Sequence, residues 1–197
     1  MELFYATKNQ GKIQSLQREL EKYNVKVLQA PLEIHEPRSD DVVKIAKEKV
    51  LFAYNELKKP VVALDAGFYI PSLNGFPKAF ANFALETIGL EGILKLVENK
   101  KRNCEFRECL AYIDKSLKNP KYFISHIKGI LAEKIRGKMQ EHLWSEIGLI
   151  FIPENYDKTL AEMTHEEYVM WTKTSLEANA TGRNFAKWYS LYLENPA

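Results

Sequence analysis

The stretch VVALDAGFYI, residues 61–70, constrains the fold more than any other part of the chain. A run this apolar has both faces covered, as in the middle of a sheet with helices above and below it. Asp65 is its one charge, and Ala66 and Gly67 follow directly. We read a buried strand that breaks from Asp65 to Gly67, so that a carboxylate reaches a strand's carboxyl end, where open α/β sheets hold ligands. The plain alternative is a turn that Asp65 caps through its own backbone.

Elements alternate along the rest of the chain. LFYA is a short strand, Ile13, Leu16 and Leu20 keep helical spacing up to Tyr23, and VKVLQA is a second strand, which makes a βαβ opening. From Asp40, taken as the cap, Val42, Val43, Ala46, Val50, Ala53 and Leu57 predict a helix ending at Lys58, Lys59 and Pro60. Ala79 to Asn99 reads as two helices joined near Gly89, and residues 106–113 and 122–135 read as paired strands. IGLIFIP adds a strand ending at Pro153, Thr164 and Glu167 form a capping box, and a last helix runs from Arg183 to Leu193. The expected fold class is α/β, a mixed central sheet flanked by helices. With 46% hydrophobic residues and no repeat or long linker, residues 1–197 are expected to form a single α/β domain.

Several function classes are excluded at this level. The net charge of +2 and the lack of a basic block argue against a nucleic-acid duplex as partner. No signal-peptide pattern or membrane-length apolar run is present, so no membrane partner is expected. Cys104 and Cys109 fall in one strand without metal-type spacing and read as reduced thiols, which favours a cytoplasmic location.

The segment FYATKNQGKI raises the sharpest question. Lys8 and Lys12 stand at a helix start, where the dipole disfavours cations. A solvated surface turn is one reading. Anion binding is the other: a glycine-containing turn at a helix start offers backbone N–H groups, Thr7 and Asn9 add side-chain donors, and Lys8 and Lys12 add charge. The Walker A spacing is absent. Glu33, just after the second strand, supplies another acid, and with Asp65 it could hold Mg²⁺, a cation that takes oxygen ligands and bridges to phosphates. Lys47 and Lys49 on the following helix read as a solvated face, or one of them turns toward the same anion.

These residues resemble the inosine triphosphate pyrophosphatase family, which removes aberrant purine nucleotides such as (d)ITP and XTP. ATKNQGKI is similar to the family's T/S-x-N-x-x-K phosphate loop, matched by Thr7, Asn9 and Lys12. LEIHEPRSDDVV resembles the segment with the metal-binding glutamate, here Glu33, and Lys47 is the best-placed equivalent of its helix lysine. LDAGFYIPSLNGFP is similar to the central D/E-D-S-G signature, and ETIGLEGILKL and IFIPENYDKTLAEMT also correspond. The resemblance implies an elongated mixed α/β fold with a cleft, a homodimer, and Mg²⁺-dependent hydrolysis of a nucleoside triphosphate to monophosphate and pyrophosphate, with Mn²⁺ as an alternative ion. Asp65 would orient or deprotonate water or bind metal. Lys8, Lys12 and Lys47 would hold phosphates, and Phe68, Pro77, Lys78 and Arg183 would form the base pocket.

The chain departs from the family pattern at identifiable places. Leu64 and Ala66 replace an acid and a hydroxyl, which predicts weak metal binding without nucleotide. Lys78 follows Pro77 where the family has glycine. MQEHLWSEIGLIF replaces the G-F-G-Y-D-P base loop, and TGR, Thr181 to Arg183, is the nearest counterpart of S-H-R if roughly ten residues are inserted before it, whereas direct alignment puts Thr172 to Thr174 there. A changed base preference follows. The alternative is a nucleotide-binding relative with little catalysis.

Overall fold

The computed structural model describes residues 1–34, 37–175, 178 and 180–194. His35 and Glu36 of the LEIHEPRSDDVV segment lie outside the described residues. The strands pair in the order β2 (Lys26–Gln29), β1 (Glu2–Tyr5), β3 (Val61–Tyr69), β5 (Asn103–Ile113), β6 (Lys121–Leu131) and β7 (Phe151–Pro153), with β4 (Pro77–Lys78) on β3, in a seven-stranded sheet. By compactness the chain divides into two units, each with its own core.

The first unit comprises Met1–Ala66, Glu108–Ser125 and Asn179–Ala197. Strand β1 (Glu2–Tyr5) pairs in parallel with β2 (Lys26–Gln29), Leu3 opposite Val27, and with β3 (Val61–Tyr69), Tyr5 opposite Val62. Helices α1 (Gln10–Leu20) and α2 (Val42–Leu57) make the two crossovers. The first crossover moves to one side of β1 and the second to the other, so right-handed connections put the two helices on opposite faces. Helix α5 (Ala180–Glu194) contacts α1, and Leu16, Leu20, Phe185 and Tyr189 pack with Leu3, Tyr5, Val62 and Leu64 of the strands.

The second unit comprises Gly67–Arg107 and His126–Ala178. Here β4 (Pro77–Lys78) pairs antiparallel with the end of β3, Phe68 opposite Lys78. Gly67 has no alternative at this crossing, because a Cβ there would lie 2.7 Å from the Lys78 carbonyl oxygen. Helix α3 (Ala81–Leu96) is interrupted at Gly89, whose φ of 64° breaks the helical path at the expected junction. Strand β7 (Phe151–Pro153) pairs antiparallel with β6 (Lys121–Leu131), and α4 (His165–Thr174) opens with the expected Thr164–Glu167 capping box. Phe68 sits in the core with its ring 4.8 Å from Phe106, and Phe106 lies 4.9 Å from Phe151.

Four expectations are corrected. Strand β3 runs unbroken through Asp65 to Gly67, because a carboxylate on one face does not interrupt backbone pairing. Asp41 rather than Asp40 caps α2, its Oδ1 accepting from the Val43 and Lys44 N–H groups at 2.8 and 3.4 Å. Strand β6 stops at Leu131, and Glu146–Leu149 forms a 3-10 turn before β7. Helix α5 begins at Ala180, before the expected start at Arg183. Strand β5 (Asn103–Ile113) carries both cysteines, buried and unbridged as expected.

Candidate active site

The parallel strands of the first unit place the site. Their order, β2-β1-β3, makes the chain leave β1 toward one side and return to the other, the kind of switch point at which α/β sheets bind ligands. The segment Thr7–Lys12 leaves the carboxyl end of β1, and Asp65 stands beyond Val62, which pairs with Tyr5. The Ala6 N–H donates to the Val62 carbonyl at 2.9 Å and anchors the start of that segment to β3.

The loop after β1 is ordered by its own side chains. Thr7 Oγ1 accepts from the Asn9 N–H at 3.1 Å, and Asn9 Oδ1 accepts from the Lys12 N–H at 3.1 Å as the N-cap of α1. Gln29 of β2 braces it, donating to the Thr7 carbonyl at 3.2 Å and accepting from Gln10 at 2.7 Å. The Asn9 oxygen is therefore committed to the cap, which leaves its amide nitrogen as the donor for an anion. Lys8 is exposed and Lys12 is half-buried on the first turn.

On α2 the structure separates the two lysines. Residues two apart on a helix project about 200° apart, so Lys47 and Lys49 cannot share a face. Ile45, Ala46, Val50 and Ala53 are buried, and Lys49 borders that stripe while Lys47 is exposed. The Lys49 Nζ lies 3.3 Å from Asp65 Oδ1, with both side chains largely buried. Lys49 is the helix lysine brought to Asp65, while Lys47, expected to hold phosphate, is exposed on another face of α2. Cys109 lies in the field of the same carboxylate: burial first, then Asp65 and Asp41, push its thiol up to about 12, so it stays protonated at neutral pH.

Strand alternation then settles the place of Leu64. Successive side chains point to opposite faces, and Leu64 is 6% exposed in the α1 and α5 layer with Val62, Leu110 and Phe185. Asp65 faces the α2 side, where Lys49 meets it. An acid at position 64 would point away from Asp65, so its replacement by leucine does not remove a metal ligand from beside Asp65.

The remaining candidates fall out as follows. Glu33 is exposed after β2. Among the described residues no group of three or more His, Cys, Asp or Glu side chains could hold a metal ion, so Glu33 and Asp65 would need phosphate oxygens to complete a Mg²⁺ site. Phe68 is 0% exposed among Phe106 and Phe151, so it is a core residue of the second unit and not a base contact. In that unit Pro77 is buried, and Lys78 is half-buried with φ 57°. Arg183, half-buried, lies in the first turn of α5 beside buried Thr181. Sequence reasoning missed Lys49 as the partner of Asp65 and overlooked Glu108, whose signal is a lone acid in ECLAYI.

A strand-borne carboxylate facing a lysine, beside a capped helix-opening loop with two more lysines, defines an α/β protein built to receive a polyphosphate. The chain belongs to the Ham1 family, whose model matches residues 3–179. It is 36% identical over 190 residues to the dITP/XTP pyrophosphatase of Methanopyrus kandleri, covering 96% of each chain. It is 35% identical over 162 residues to that of Saccharolobus solfataricus, covering 82% of this chain and 81% of the relative. The fold matches the Staphylococcus aureus Ham1 protein with a TM-score of 0.77 at 21% identity over all of both chains.

Proposed function

We propose that this chain hydrolyses purine nucleoside triphosphates, including non-standard ones such as dITP and XTP, to the monophosphate and pyrophosphate. The observation that carries the reading is the Asp65–Lys49 pair at 3.3 Å on the strand beside the Thr7–Lys12 loop. The names of the 36% and 35% identical relatives support the substrate class.

The chemistry follows from the residues. Lys8 and Lys12, with the Asn9 amide, hold the phosphate chain, where fixed cations and donors are worth most as charge develops on the oxygens. Asp65 accepts a hydrogen bond from the attacking water and takes its proton, and Lys49 orients the carboxylate. Glu33 and Asp65 are the residues that would hold Mg²⁺, which when bound supplies neutralising charge at the phosphate oxygens. Arg183, in the same unit as the loop, is the candidate for contacts to the rest of the nucleotide. Exposed Phe80 and Phe83 on and next to α3 support a homodimer, and the two unbridged cysteines support a cytoplasmic location. Among the described residues no helix is long and apolar enough to cross a membrane.

Pyrophosphate release measured across dITP, XTP, ATP and GTP with Mg²⁺ or Mn²⁺ tests the activity. Release from dITP or XTP is expected, and no release from any triphosphate overturns the reading. Because MQEHLWSEIGLIF lacks the aspartate of the family base loop, the kcat/KM ratio of ITP over ATP should stay below the roughly 10⁴ reached by pockets that hydrogen-bond a distinguishing group.

Lys12→Ala should raise KM about tenfold or more, since a hydrogen bond to a charged group is worth roughly 1.5–3 kcal/mol. Nucleoside affinity, followed by calorimetry, should change little. An equal loss for nucleoside and triphosphate would show that Lys12 acts on the fold and not on phosphate.

A further inference from the structure

Glu108 is the least explained charge in the first unit. It sits on β5 at 5% exposure, and period-two alternation gives it the same face as Leu110 and Tyr112, both in the α1 and α5 layer. A buried carboxylate is costly unless paired and hydrogen-bonded. Its Oε2 accepts from Thr181 Oγ1 at 3.2 Å and from Ser125 Oγ at 3.4 Å, two long contacts from neutral hydroxyls. Burial pushes its carboxyl up, and the charge of Lys12 is the first influence opposing that shift, ahead of the two hydroxyls.

Leu64 belongs to the same layer. An acid at 64, as in the family's central signature, would project toward α1 and Lys12 from β3. Here the acid comes from β5 instead, and the same carboxylate is tied to Thr181 at the head of α5, two residues before Arg183.

We infer that Glu108 is a positioning residue for polyphosphate binding: it holds the Lys12 ammonium at the head of α1, ties it to the Thr181–Arg183 turn, and replaces the acid missing at Leu64. This rests on the phosphate role proposed for Lys12. At 5% exposure it makes no contact with substrate itself.

Coulomb's law supplies a sign test. If Glu108 only repelled anions, neutralising it would tighten phosphate binding; if it positions Lys12, neutralising it weakens binding. Inorganic tripolyphosphate binding, measured by calorimetry, needs no turnover and so separates this inference from the proposed activity. Absence of binding to the unaltered chain would count against the phosphate site as a whole. With wild-type binding established, Glu108→Gln should weaken tripolyphosphate affinity about tenfold and raise KM for triphosphate more than it lowers kcat, while the melting temperature holds or rises. Unchanged or tighter affinity overturns the inference, and so does a loss of affinity that merely follows a fallen melting temperature. In a Glu108→Ser background, adding Leu64→Glu should recover most of the lost affinity, because the carboxylate re-enters the layer from β3. Failure to recover it in a folded double variant would overturn the replacement of the acid at 64.

Discussion

Leu64→Glu is expected to destabilise the fold by about 3–5 kcal/mol, the scale for an uncompensated buried charge. In a chain of this size each kcal/mol shifts the melting temperature by roughly 2–4 °C, so a fall of about 6–20 °C should appear in a thermal melt. The reason lies in the packing. Leu64 is 6% exposed among Val62, Leu110 and Phe185, and its layer already holds the carboxylate of Glu108. A second acid brings desolvation and like-charge repulsion together. Mg²⁺ affinity should not improve, because the new side chain points away from Asp65. A melting temperature within a degree or two of wild type, with tighter Mg²⁺ binding, would place position 64 in the metal site after all.

Asp65→Asn is expected to lower kcat by about 10²–10⁴, the usual contribution of a positioned general base. The amide keeps the shape and can still face Lys49, but it cannot accept the water's proton. Triphosphate binding in the absence of metal should be kept or strengthened, since a negative charge is removed beside Lys49. Single-turnover kinetics separate chemistry from binding. Retention of more than about a tenth of the wild-type rate would mean that the base lies elsewhere, with Glu33 the next carboxylate to test. Both variants alter neighbours on one strand, yet the first should change stability and the second the rate. Opposite faces of β3 produce that contrast.

The local pattern of the chain settled much of this protein. The apolar run through residues 61–70, the βαβ opening and the capping box at Thr164 are set by nearest-neighbour chemistry, namely side-chain period, turn residues and caps, and each recurs in the structure. The polar elbow from Thr7 to Lys12 was legible for the same reason, because a cap and its helix are neighbours in sequence. Facing relations were not legible. Lys47 and Lys49 look alike in the sequence, and only the burial of Ile45, Ala46, Val50 and Ala53 decides which of them meets Asp65. Phe68 sits beside a glycine in a motif that suggested ligand contact, but Phe106 and Phe151, far along the chain, enclose it. Glu108, Ser125, Thr181 and Lys12 come from four separate elements, so no window along the chain contains their grouping. Local periodicity fixes which way a side chain points relative to its own backbone; only the packing of distant segments fixes what it points at.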